Sequence, residues 1–424
     1  MTGLLSLAAR SAWNRRYVLS LVVGSIALAT LLLLTIERVR QDVREGFTQA
    51  VAGTDLVVGA RGAPVQLLLH AVFRLGNPTQ TVAWSSVEAV SAMPQVAWTV
   101  PISLGDSYRG FAVVGTTLAY FDHLVGADGR ALAFAAGRPW REGRDGVYEA
   151  VLGAEVADRL GLAPGETMAL SHGDGHFHAH DHADKPFTAV GVLARTGTPV
   201  DRSVHVSLQG LEAVHADWIA GVPLPALRMS AEQALQRDLQ PKAVSALLVG
   251  LERRTAVFSV QRRIAEHRGE PLMAVLPGVA LDELWDIVGA GERALLLVSS
   301  LVAVVGTAGL VAVILAGLEQ RRRELAILRA VGAGPRDVAL LLAVEGSLVT
   351  LAGVAIGAAA TALLLAVAAP WALAHAGVAL RPLAFGLPEA GWLALLLTGG
   401  VLASAVPGWR AYRIALADGL QPRL

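Results

Sequence analysis

Four long apolar runs divide this chain unevenly. Tyr17–Ile36 stands alone near the start, residues 37–293 follow it, and Ala294–Leu318, Val338–Ala369 and Leu387–Val406 crowd into the C-terminal third. Each run reaches the roughly 20 residues needed to cross a hydrocarbon core. The pattern therefore predicts four transmembrane helices, with a large α+β extracytoplasmic domain inserted between helices 1 and 2. The expected segments are a cytoplasmic start (1–16), spans at 17–36, 294–318, 338–369 and 387–406, an outer domain (37–293), an inner loop (319–337), a short outer loop (370–386) and a tail (407–424).

Arginines set the orientation. Arg10, Arg15 and Arg16 precede the first run, Arg321, Arg322, Arg323, Arg329 and Arg336 lie between the second and third, and Arg410, Arg413 and Arg423 follow the fourth. The short loop on the opposite side holds only Arg381. The positive-inside bias thus places both termini in the cytoplasm and residues 37–293 outside. Ala27-Leu28-Ala29 looks like a signal-peptide cleavage pattern, but Leu31–Leu34 extend the run to spanning length, so an uncleaved anchor is expected.

Hydrophobic residues make up 54% of the 424 positions and charged residues 17%, too apolar for an ordinary soluble protein of this length. Zero net charge offers no argument for nucleic acid as a partner. The absence of cysteine leaves the outer domain to be held by its own core, without disulfides or thiolate metal sites.

Two amphipathic segments flank the outer domain. Ile36, Val39, Val43 and Phe47 form one helical stripe after the first run, and Leu281, Leu284, Trp285 and Val288 form another before the second, a pattern that fits stalk helices continuing the spans and, equally, membrane-proximal surface helices. Between them, strands are expected at Asp55–Ala60, Val96–Val100, Phe111–Thr116, Thr167–Ser171, Phe187–Leu193, Ser203–Ser207 and Ala246–Leu251. Helices are expected near Glu155–Leu160, Leu208–His215, Ala231–Leu239 and Val257–His267.

The inner loop reads Glu319-Gln320-Arg321-Arg322-Arg323-Glu324-Leu325-Ala326-Ile327-Leu328-Arg329-Ala330-Val331-Gly332-Ala333. Leu325 and Leu328 form a short apolar stripe beside a charged face, and Gly332 with Gly334-Pro335 ends the helix. Such a segment suits docking to a cytoplasmic partner, while a merely basic loop obeying the orientation rule is equally compatible with the composition.

Residues 323–333 closely resemble the coupling-helix motif of the FtsX/MacB-like ABC transporter permeases, a four-span family related to the lipoprotein-releasing permeases. Three further segments match in order: Val151–Ala157 with Leu160-Gly161-Leu162, Glu345-Gly346 with Gly353 and Gly357, and Pro407–Ile414 with Ala415–Leu420. The resemblance implies a bacterial inner-membrane permease subunit that pairs with a second, identical or different. A separate cytoplasmic ABC ATPase dimer would grip Glu319, Arg322, Arg323, Glu324, Leu325, Ile327, Leu328, Arg329 and Gly332. It further implies that ATP-driven closure moves the periplasmic domain through its stalks, with a periplasmic carrier, adaptor or outer-membrane component as a further partner. The chain carries no G-x-x-x-x-G-K-[ST] phosphate loop, so ATP and magnesium are expected on the partner and no cofactor or enzymatic activity on this chain.

Small residues such as Gly346, Gly353 and Gly357 in the third run allow close helix approach, either between two copies or within one chain. Glu345, inside the same run, is read as structural. The segment 171–184 packs five of the eleven histidines into one polar stretch. His172, Asp174, His176, His178, His180 and His182 are candidate zinc ligands, although their spacing defines no rigid tetrahedral site and a solvated hairpin insertion between Thr167–Ser171 and Phe187–Leu193 fits equally. His205 and His215 are read as packed or surface histidines, and Asp201-Arg202-Ser203 as a turn and strand start.

Three functions stay open at this point. One is export or extraction of a lipophilic, lipoprotein or peptide-like substrate. The others are an FtsX-type signalling or scaffold role over periplasmic hydrolases, and a zinc-linked transport accessory.

Overall fold

A computed structural model describes residues 16–76, 80–172, 184–219, 222–223, 229–320, 332–376, 378, 380–382 and 386–417. The chain separates into two compact units. One holds the long helices up to Asp42, from Val288 to Trp371 and from Leu380 onward; the other holds Val43–Ile287 with Ala372–Ala379.

Four helices, Arg16–Ala50, Pro277–Gln320, Pro335–Ala376 and Leu387–Ala417, are long and apolar enough to cross a membrane. The first and second contain the expected stalks without a break, at 35 and 44 residues. The third runs through Pro370 to Ala376, and the fourth runs through Pro407, so both extend beyond the spans read from hydropathy. Hydropathy marks only the lipid-facing part of a helix, whereas hydrogen bonding carries it on.

The helices pack through small and hydroxylated residues. A Cβ on Gly353 would stand 2.8 Å from the Cβ of Ile26, and one on Gly357 would stand 2.5 Å from the carbonyl oxygen of Ala27, so the third helix lies backbone-close to the first. Gly346 receives Ser404 of the fourth helix and Ile314 of the second. These contacts are the intrachain packing that is one of the two roles the sequence leaves open for these glycines. Buried hydroxyls return their protons to the helix: Thr30 donates to Ile26 O at 2.8 Å, Thr350 to Gly346 O at 2.9 Å and Thr361 to Gly357 O at 2.9 Å. Glu345 is buried.

The other unit contains two main sheets. In the smaller, the order is Leu272–Val275, Leu56–Ala60, Ala246–Leu251, Val96–Ile102, all antiparallel. Helix Val257–Ala265 buries Val260 and Ile264 in the same core as Leu56, Val58, Leu247 and Val249. The larger sheet is mixed, in the order Phe134–Gly137, Phe187–Leu193, Glu149–Leu152, Ser203–Ser207, Phe111–Thr116, Asp106–Tyr108, Ser171–His172. Phe187–Leu193 runs parallel to Glu149–Leu152, and Ser203–Ser207 parallel to Phe111–Thr116. Helix Ala154–Leu160 follows Glu149–Leu152 through Gly153, where a Cβ would strike the carbonyl oxygens of Val200 and Asp201, and ends on Gly161 at φ 65°.

Three expectations change. The helix near Ala231–Leu239 is only Ala231–Ala234, held by a capping box between Ser230 and Gln233. The expected strand Thr167–Ser171 is two strands that part company: Thr167 and Met168 pair with Thr188 and Phe187, whereas Ser171 and His172 pair with Ser107 and Asp106 at the far edge. Leu170, between them, is fully buried, so this stretch changes pairing partner within three residues instead of forming a simple hairpin. The stripe after the first span is also reversed. Ile36, Val39 and Val43 are only partly covered, whereas Glu37, Arg38 and Asp42 are buried.

Candidate functional site

The reversal has an electrostatic cause. Arg38 donates to Asp42 at 2.7 Å and to Glu389 at 3.3 Å, and Arg381 donates its backbone N–H and its guanidinium to Asp42 at 2.9 and 3.1 Å. Arg40 and Gln41 both donate to Glu37, at 2.6 and 2.7 Å. Charges taken from water are stable only when paired and hydrogen-bonded, and each carboxylate here has at least two donors. This network ties the first helix to the segment before the fourth. Hydropathy counted these residues as solvent-facing because it cannot see their partners.

Of the expected coupling residues, Arg322, Arg323, Glu324, Leu325, Ile327, Leu328 and Arg329 lie outside the described residues. Glu319 belongs to the last turn of the second long helix. Gly332 is exposed at φ 106°, a backbone state that favours glycine. The third long helix then starts with Pro335, and Asp337 accepts the N–H of Gly334 at 2.8 Å.

On the outer unit, the change of pairing partner around Leu170 brings His172 to a cluster. His172 lies directly opposite Asp106 in the antiparallel pair, and its Nδ1 is 2.8 Å from Asp106 Oδ1. His215, the residue after helix Leu208–Val214, points Nε2 at the same oxygen from 3.4 Å. The Trp218 ring stands 4.8 Å from that of His172 and 5.1 Å from that of His215. The Asp106 side chain is 2% exposed, against 41% for His172 and 27% for His215. Burial favours the neutral carboxyl of Asp106, but hydrogen bonding from the two imidazoles outweighs it and holds the pKa well below the usual carboxylate range. Burial alone would likewise lower His215, yet the Asp106 carboxylate raises it above the ordinary imidazole value.

A buried ion pair supports this corner. Lys185 Nζ donates to Asp217 at 2.7 Å and to the carbonyl of Val214 at 3.0 Å, fixing the turn that carries His215 and Trp218. Among the described residues, Asp106, His172 and His215 are the set that brings three potential metal-ligand atoms together, all within 4.8 Å of one another. Only His172 of these was among the zinc candidates in the sequence; Asp174, His176, His178, His180 and His182 lie outside the described residues. No local signal marks Asp106 or His215, because their meeting depends on a strand pairing across 66 residues. His205 is the packed histidine expected, fully buried at the centre of its strand, and burial followed by the charge of Arg74 lowers its pKa to about 3. Asp201 also matches expectation, accepting from the N–H groups of Thr196 and Gly197 at 2.7 and 2.8 Å to close the turn before Ser203.

Residues 17–266 match the family model of the MacB-like periplasmic core domain, and residues 296–416 match that of the FtsX-like permease C-terminal region. The chain is a MacB/FtsX-like ABC transporter permease. Members of this family are membrane subunits of ABC systems, and this permease is a multi-pass protein with a large extracellular-type domain. Among solved structures, the extracellular domain of the noncanonic ABC-type transporter YknZ from Gram-positive bacteria shares 13% identity with it at a TM-score of 0.32, over 52% of this chain and 98% of that one. The periplasmic region of MacB from Actinobacillus actinomycetemcomitans shares 10% identity at a TM-score of 0.32, over 55% and 95% of the two chains. No curated protein matches the permease.

Proposed function

We propose that this permease works as a lever. A cytoplasmic ATPase dimer grips residues 319–332, and the resulting motion passes along the membrane helices to the outer domain, which exports or extracts a lipophilic, lipoprotein or peptide-like substrate. The observation that supports this most is helix continuity: Arg16–Ala50 and Pro277–Gln320 each run unbroken from apolar, membrane-length sequence into residues of the outer unit. An unbroken hydrogen-bonded helix transmits displacement along its axis, whereas a loop at either junction would absorb it. The ionic lock of Arg38, Asp42, Glu389 and Arg381 stiffens the first helix where the apolar run ends.

In this reading the protein sits in a bacterial inner membrane with both termini cytoplasmic, pairs with a second permease subunit, and leaves ATP and magnesium to the ATPase. The test is co-purification of the permease with an ABC ATPase sought among the products of its neighbouring reading frames. Wild type is expected to retain the ATPase, and the double replacement Leu325→Glu with Leu328→Glu to release it while leaving membrane insertion and the thermal midpoint unchanged. Retention of the ATPase by that double variant would remove residues 319–332 from the coupling role.

A further inference from the structure

We propose that Asp106, His172 and His215 form a binding site for a divalent transition-metal ion of the zinc class on the outer domain. One carboxylate and two imidazoles are a donor set that suits zinc, and three protein ligands with one open position is a common arrangement around that ion. Ligand atoms bound to one tetrahedral zinc at about 2.0–2.1 Å stand roughly 3.3 Å apart. The spacings of 2.8 Å and 3.4 Å to the Asp106 oxygen bracket that value, and the three ligand atoms all lie within 4.8 Å of one another, so the ion would draw in the partly exposed imidazoles.

The orientation of His215 suits the same role. His215 Nδ1 lies 3.0 Å from the carbonyl oxygen of Leu211, and a carbonyl can only accept, so Nδ1 carries a proton. Nε2 is then the nitrogen left to bind, and it faces the buried Asp106 carboxylate. A proton on Nε2 bridges the two groups in the metal-free chain, and a metal ion bound by both would take its place. A backbone carbonyl that fixes the far nitrogen is also the usual means of orienting a metal-bound histidine. Trp218 covers one side of both rings, and the Lys185–Asp217 pair holds the His215 turn in place, so the site is supported before any ion arrives. The partial exposure of His172 leaves a way in and room for an exchangeable fourth ligand. Bound metal would tie the edge strand Ser171–His172 to helix Leu208–Val214.

The test uses full-length permease in detergent and Zn2+ in competition with a chromophoric chelator. Replacing His176, His178, His180 and His182 together by serine removes the neighbouring histidines of the segment, and this chain is expected to keep one zinc equivalent. Adding Asp106→Ala or His215→Gln to it is expected to weaken zinc binding by at least the tenfold to hundredfold, roughly, that loss of a group merely supporting a metal ligand costs. Loss of all zinc binding in the four-serine chain, or an affinity unmoved by Asp106→Ala and His215→Gln, would overturn the site. Should either added variant fail to fold, Co2+ on the folded four-serine chain decides the matter: an intense four-coordinate visible band supports the site, and a weak octahedral spectrum overturns it.

Discussion

Arg381 reaches Asp42 twice, through its backbone N–H at 2.9 Å and its guanidinium at 3.1 Å, across 339 residues of sequence. Asp42 also accepts from Arg38, so one fully buried carboxylate serves two arginines. Replacing Asp42 by alanine strands both charges and is expected to cost about 3–5 kcal/mol. Arg381→Ala is expected to cost less, since its side chain is 48% exposed. Thermal unfolding of the detergent-solubilised permease would rank the two, and an Asp42→Ala midpoint equal to wild type would show that the network carries no load.

His205 makes the outer domain acid-sensitive. Its pKa is about 3 in the folded chain and near 6.5 when unfolded, so below pH 6.5 the unfolded chain takes up a proton that the native one refuses. The stabilising contribution is complete above pH 6.5 and is lost as pH falls from there toward 3, at up to ~1.4 kcal/mol per pH unit. Thermal midpoints measured at pH 7.5 and 5.5 are expected to fall more for wild type than for His205→Gln, which cannot titrate. Equal falls in the two proteins would mean that His205 is accessible to protons.

The Lys185–Asp217 pair separates the cost of breaking an ion pair from its worth. Asp217→Leu alone leaves a buried ammonium and is expected to destabilise by about 3–5 kcal/mol, whereas Lys185→Met with Asp217→Leu together is expected to restore most of the loss. A double variant as unstable as the single one would point to packing, not charge, as the reason for the pair.

Gly357 tests which contact the small residues serve. Valine there would push its side chain against the Ala27 carbonyl and Thr30, neither of which can move without shifting the first helix. Gly357→Val is expected to lower the thermal midpoint at every protein concentration. A loss that appears only on dilution would instead mark a contact between copies.

Much of the fold was legible before any coordinates. The four apolar runs, and strands Phe111–Thr116, Phe187–Leu193, Ser203–Ser207 and Ala246–Leu251, lie where their local periodicity puts them. Hydropathy and side-chain alternation are properties of consecutive residues, and the lipid or the nearest sheet face reads them directly. The family, too, was written in short contiguous motifs.

Long-range pairing was not. A run such as Thr167–His172 carries β propensity along its length, but nothing within it says that Met168 pairs with Phe187 while His172 turns to Asp106. The charged stripe of Glu37, Arg38 and Asp42 reads as solvent-facing until Arg381 and Glu389 are brought beside it. Sequence by itself determined the four long apolar helices and several of the longer strands, since those follow from neighbouring residues, but not Glu149–Leu152 or Leu272–Val275. Only the tertiary structure decided which buried charges are neutralised and which histidines share a carboxylate, because the free energy of a charge depends on what surrounds it in space.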